Sequence, residues 1–226
     1  MLRLISSMAT RQVLAQLAAL WRHSSGIEVS IESVGGVHAA MRVQAGEAFD
    51  GVVLASEAIE KLIASGQVLA GSRCDLVCSS VALAVKAGAP VPDISTESAL
   101  RSAIEAAPTI GYSTGPSGVA LVKLFERWGN LDALQPRIVQ APAGLPVGRL
   151  VARGEVAFGF QQLSELMHFE GINVVGTLPE PVGIRTIFSA ATCAISTQRD
   201  TLARLLAFMA SCEAVQVKQR HGMQPV

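Results

Sequence analysis

Aromatic side chains are scarce in this sequence, at 4%, and neither sign of charge predominates: 18 Lys and Arg balance 18 Asp and Glu. The charged residues form no basic or acidic block. A nucleic-acid partner requires a positive footprint, so this balance argues against one. Long apolar runs are also missing. Half of the residues are hydrophobic, yet no segment approaches the ~18 uninterrupted apolar residues that a spanning helix needs. The opening "MLRLISSMATRQ" has too short an apolar stretch for a signal peptide. It predicts a periplasmic protein if a leader has been removed, and a cytoplasmic one if Met1 is the true start. There is no nucleophile elbow, no phosphate-binding loop and no dinucleotide fingerprint, since "GVHAAMRVQAG" lacks the required glycine spacing.

Cysteine is sparse as well. Cys74 and Cys78 share a CxxxC spacing in "CDLVC", and Cys193 and Cys212 stand apart. Strand alternation puts Cys74 and Cys78 on one face. No further Cys or His lies at ligand spacing, so no metal site is expected. Buried free thiols are the favoured reading, with a disulfide or a metal as the alternatives. No cofactor is expected.

Ala, Val, Leu and Gly fill the space that the missing groups leave. "LRLIS" reads as a strand, and "MATRQVLAQLAALWRHSSG" as a helix with Val13, Leu14, Leu17, Ala18 and Trp21 on one broad face. "IEVSIES" alternates as a strand, "GGVHAAMRVQAGEA" reads as a helix, "FDGVVLAS" as a strand and "EAIEKLIASG" as a helix. This βαβαβα order predicts a mostly parallel sheet with helices on both faces. A second cycle follows from "TESALRSAIEAA" to "LSELMHFEG", with "LQPRIVQA" as one of its strands. Two long β runs, near residues 76 to 86 and 183 to 196, bracket it. The last segment, from Arg199 to Met223, reads as helical. The expectation is an α/β protein of two lobes: residues 1 to 81 plus 191 to 226, and residues 82 to 190. The ligand cleft would lie between them.

The strand-to-helix turns share one chemistry. "SSM" holds Ser6, Ser7 and Met8; "SVGG" holds Ser33, Gly35 and Gly36; "STGPSG" holds Ser113, Thr114, Pro116 and Ser117; "APAGLPVG" leads to Val147. A helix N-terminus carries unpaired N–H groups and roughly half a positive charge. Hydroxyls add donors, and glycine lets an anion approach the backbone. Ordinary N-capping accounts for any one such turn. Four of them at strand carboxyl ends predict an anion site built without a cation.

At these same stretches the chain resembles the periplasmic molybdate-binding proteins of ABC transporters and the wider type II solute-binding family. "SSMATRQVLAQLAALW", "IEVSIESVGGVHAAMRVQAGEAFDGVVLAS", "GYSTGPSGVALVKLFERWG", "VGRLVARGEVAFGFQQLSEL" and "GINVVGTLPEPV" carry the resemblance over nearly the full length. It implies a type II periplasmic-binding-protein fold, with mixed, mostly parallel sheets and two hinge strands. It implies a small oxyanion held by Ser7, Ser33 and the backbone N–H groups near Pro116, Ser117 and Val147. An ABC-transporter permease is the implied partner, and a monomer or weak dimer the implied state. Two departures stand out. Gln161 and Gln162 stand where those proteins place a Tyr, and His38 follows "SVGG". A planar or multi-carboxylate anion suits the added donors of Ser113, Thr114, Ser117 and Gln161. The same scaffold carries aconitate-isomerase-like members, so an allylic proton shift on an unsaturated tricarboxylate is the alternative. A ligand-sensing effector domain is a further one.

Four side chains have readings of their own. His38, at a helix start, is a proton shuttle or a surface residue. Glu165 is a general base, a capping partner of Gln161 or Gln162, or an exposed helix residue. Arg149 clamps a carboxylate or sits in a salt bridge. Asp50 has the wrong charge for an anion site and is read as orienting a neighbouring turn.

Overall fold

The computed structural model describes all residues, Met1–Val226. They divide into two compact units, Met1–Ser79 with Thr186–Val226, and Ser80–Arg185.

The first unit opens with β1 (Leu2–Ser7), a 3-10 turn (Met8–Thr10) and α1 (Arg11–Ser25), followed by β2 (Val29–Val34) and α2 (Gly36–Gln44). β3 (Gly51–Ala55) and α3 (Ser56–Ala64) complete the first cycle, and β4 (Cys74–Lys86) carries the chain into the second unit. β1 pairs in parallel with both β2 and β3, which aligns their carboxyl ends. Alternation decides the layers. Leu2, Leu4, Val53 and Ala55 face one core with Val13, Leu14, Leu17 and Trp21 of α1. Ile5, Val52 and Leu54 face another, with Ala39 and Val43 of α2 and Ile59 and Leu62 of α3. The run "GVVLA" is buried at every position because both sheet faces are covered. Each large apolar side chain so buried stabilises the unit by about 1.5–3 kcal/mol.

The second unit contains the Ser80–Lys86 part of β4, then α4 (Glu97–Ala106), β5 (Ile110–Tyr112), α5 (Pro116–Trp128) and α6 (Leu131–Leu134). β6 (Ile138–Gln140), α7 (Val147–Arg153), β7 (Phe158–Gln162), α8 (Leu163–Leu166) and β8 (Ile172–Thr177) follow. β5 is parallel to β6 and β7, while β4 runs antiparallel to β7 and β8. Phe125 and Trp128 of α5 pack over Ile110 and Phe160 with Leu100 and Ile104 of α4. α7 covers the opposite face closely, because the strands there have glycine. A Cβ on Gly159 would lie 2.3 Å from Val151 Cγ2, and one on Gly111 2.9 Å from Val156 Cγ2.

The chain re-enters the first unit on β9 (Arg185–Thr192), antiparallel to β3. α9 (Arg199–Ala210), α10 (Val215–Arg220) and β10 (Met223–Pro225) close it. Asp50 ties this return together. Its Oδ2 accepts from Arg3 N (2.9 Å) and Gln198 Nε2 (3.2 Å), and its Oδ1 from Ser196 Oγ (2.7 Å). Charge-assisted bonds of this kind are worth ~1.5–3 kcal/mol each where the groups are shielded. Asp50→Ala is therefore expected to lower unfolding stability by about 2 kcal/mol in a denaturant titration.

Three expectations are corrected. "LQPRIVQA" is not a strand throughout: α6 and a 3-10 turn (Gln135–Arg137) occupy its start, and only Ile138–Gln140 extends. The final segment is not wholly helical, because Met223–Pro225 pairs with β4. All four cysteines are free, but only Cys193 is buried; Cys74 and Cys78 are half-buried and Cys212 is exposed. The half-buried pair lies at the start of β4, either side of the buried Leu76.

Candidate functional site

In the first unit the parallel register places Ser6 opposite Ser33. Their hydroxyls meet at 2.8 Å, and Ser6 is fully buried. Ser7 follows, 6% exposed. Thr10 Oγ1 donates to Ser7 O at 3.1 Å, so in its long 3.5 Å contact with Ser7 Oγ it accepts and Ser7 is the donor. A Cβ on Gly36 would lie 3.7 Å from Ser7 Cβ. Ser7 therefore sits against the first turn of α2, whose leading N–H groups receive no side-chain cap. Met8 begins the 3-10 turn, Gly35 is the residue before α2, and His38 is exposed on its first turn.

A second relay ends at the β3–α3 turn of this unit. Ser189 Oγ must donate to the Asp75 carboxylate, at 2.6 Å. It therefore accepts from Ser56 Oγ at 2.7 Å. Arg73, bonded to Asp75, holds that carboxyl below its ordinary range. Ser56 was not among the expected site residues; "LAS" at a strand end was its only signal.

The second unit has a matching edge. Ser113 Oγ and Ser117 Oγ lie 3.0 Å apart, and Ser117 is 3% exposed. Pro116 opens α5, while Thr114 and Pro116 are exposed. Gly118 is required there, since a Cβ would fall 1.8 Å from Ser113 O. Neither the Ser7 turn nor the α5 turn uses its hydroxyls as a cap. Missing caps alone mean little, because α3 and α9 also start without one. What distinguishes these turns is the clustering of uncharged hydroxyls.

The second unit also contains a separate polar group. Val147 N–H, expected to face a ligand, donates instead to Gln161 Oε1 at 2.9 Å. Gln161 Nε2 in turn donates to Glu165 Oε1 at 2.7 Å. The Gln161 oxygen and one of its two amide hydrogens are thus engaged by protein groups. Burial pushes the Glu165 carboxyl up to about 7, against the lowering effect of the Gln161 bond. Arg149 is exposed on the first turn of α7. No group of three or more His, Cys, Asp and Glu side chains is placed to hold a metal. Two surface hollows, of about 300 Å³ beside α5 and about 470 Å³ between α1 and β2, are lined by none of these residues.

The family model of bacterial extracellular solute-binding proteins matches residues 2–224. The chain belongs to that family. Among relatives of this solute-binding protein is an aconitate isomerase from Pseudomonas sp, 36% identical over all of this chain and 88% of that protein. The Azotobacter vinelandii periplasmic molybdate-binding protein superposes with a TM-score of 0.81 at 22% identity, covering 99% of this chain and 98% of the other. The substrate-binding domain of a putative molybdenum ABC transporter from Clostridium difficile gives 0.78 at 15%, covering 100% and 98%. At such identities the two structures establish the fold: this solute-binding protein has the type II periplasmic-binding-protein architecture.

Proposed function

We propose that this protein captures a small multi-carboxylate anion with uncharged donors: in the first unit the hydroxyls of Ser7 and Ser33 with the first-turn N–H groups of α2, and in the second those of Ser113 and Ser117 with the first-turn N–H groups of α5. The observation that carries this reading is the pair of uncharged hydroxyl clusters at the carboxyl ends of parallel strands. Donors of this kind stabilise an anion without a buried cation. Two facts favour a carboxylate over a tetrahedral oxyanion. The Val147 N–H is already engaged by Gln161, which removes one donor from an oxyanion shell. The 36% identical relative is an aconitate isomerase.

A thermal-shift panel of citrate, cis- and trans-aconitate, molybdate, tungstate and sulfate tests the reading. A ligand at ~100 times its Kd stabilises by roughly 2.7 kcal/mol. The carboxylates are expected to raise Tm and the inorganic anions to do so less. A panel with no shift, or with molybdate alone active, would sink it. Ser7→Ala and Ser117→Ala should each weaken binding about ten-fold or more, as a charge-assisted bond worth ~1.5–3 kcal/mol is lost.

Glu165 favours a second, chemical reading. A carboxyl raised to about 7 is matched to proton exchange near neutral pH. It would take a proton from the methylene carbon of an aconitate; the double bond shifts, and a proton returns to the former vinylic carbon. His38 is the second candidate for this step. Incubating the protein with either aconitate isomer and following the spectrum by NMR decides between capture and conversion. As a carrier, the protein would work outside the cytoplasmic membrane with an ABC-transporter permease as partner; as an enzyme it needs none.

A further inference from the structure

The amide of Gln161 is 4% exposed and engaged at both ends. A glutamine amide can in principle present either end to a neighbour, but here the backbone chooses. Val147 N–H can only donate, so the atom it meets at 2.9 Å is the oxygen. A flipped amide would set donor against donor. The orientation leaves Nε2 facing Glu165 Oε1 at 2.7 Å, where it donates. That oxygen is then committed as an acceptor whether Glu165 is ionised or not, and the protonated acid carries its hydrogen on Oε2.

We infer that Gln161 is a positioning residue: it directs the exchanging proton of Glu165 to Oε2 and couples the protonation of Glu165 to the Val147 N–H that opens α7. The catalytic consequence rests on the proton-shift reading; the coupling itself does not. Three residues from two elements and a loop-facing helix start form the chain, spanning 14 residues between Val147 and Gln161 and four between Gln161 and Glu165.

Few charges can compete with this control. α8 packs on β7, α7 and β8, and β7 and β8 carry no titratable side chain. α7 carries Arg149 and Arg153, the adjoining end of β4 carries Lys86, and His168 and Glu170 follow α8. The shift of Glu165 arises from burial, opposed by the Gln161 bond, with no contribution from these charges.

The test is an NMR titration of the isotope-labelled full chain on both sides of neutral pH, following the Val147 amide and the Glu165 side-chain carbon together. In the wild type both are expected to move with one midpoint. Glu165→Gln, which preserves size and shape, should abolish the Val147 transition. Gln161→Ala removes the donor that favours the charged carboxylate, so the Glu165 midpoint should rise and Val147 should cease to follow it. A Val147 amide that stays still, one that titrates unchanged in Glu165→Gln, or a Glu165 midpoint unmoved in a folded Gln161→Ala would each overturn the inference. If Gln161→Ala does not fold, the wild type and Glu165→Gln decide. Aconitate turnover is scored separately. Coupling without turnover retains the relay and removes the proton-shift reading, whereas turnover with a static Val147 does the reverse.

Discussion

Glu165→Gln is expected to slow any interconversion of aconitate isomers by ~10²–10⁴-fold, the usual worth of a general acid–base group, while making the protein more stable at alkaline pH. The two effects share one cause. Burial raises the carboxyl from 4.5 to about 7, so the folded protein holds a proton that the unfolded chain releases. Between these values the unfolded state binds fewer protons, and stability falls as pH rises. At about 1.4 kcal/mol per unit, the full difference approaches about 3 kcal/mol above neutral pH. Glutamine keeps the acceptor oxygen for Gln161 and cannot ionise. The variant should therefore match the wild type below about pH 4.5, exceed it increasingly as pH rises toward about 7, and keep a constant advantage above that. Denaturant unfolding across pH, alongside NMR turnover assays, checks both. A variant with undiminished turnover would move the acid–base role to His38. Parallel stability curves for the two proteins would contradict the burial of the carboxyl.

Gly118→Ala is expected to cost about 3 kcal/mol or more, at the upper end of overpacking effects. The new methyl would lie 1.8 Å from Ser113 O and 2.9 Å from Tyr112 Cδ2. Backbone oxygen cannot step aside as a flexible side chain does, so the turn before α5 must open. That would separate Ser113 from Ser117 and remove the response to anions. Gly115→Ala is the control, because its Cβ would meet Ser113 Oγ at an ordinary 3.7 Å. Thermal unfolding and the anion panel on both variants measure the difference. Equal stability would mean that the tight approach at Gly118 is absent.

Most elements and their order were legible in the sequence, although α6 and β10 were not. Alternation in "IEVSIES", the apolar run "GVVLA" and the helical spacing of Val13, Leu14, Leu17 and Trp21 are local patterns that burial on one face or two imposes. They placed Ser6, Ser7, Ser33, Ser113 and Ser117 at strand ends before helices, which is where the structure has them. Glycine at 118 was legible as part of the turn, though its reason, a carbonyl five residues away in sequence and touching in space, was not.

How those groups are used follows from long-range packing. The Ser6–Ser33 contact joins residues 27 apart through a parallel register. The relay from Ser56 through Ser189 to Asp75 spans more than a hundred residues. Val147 and Gln161 read as two ligand donors until the packing of α7 on β7 turned them toward each other. Glu165 had three readings in sequence, as general base, capping partner or exposed helix residue; packing joins it to Gln161 and burial raises it. Local periodicity reports which face of an element leaves water. Whether a polar group on that face meets a ligand or another polar group depends on distant segments of chain, and no local pattern records their approach.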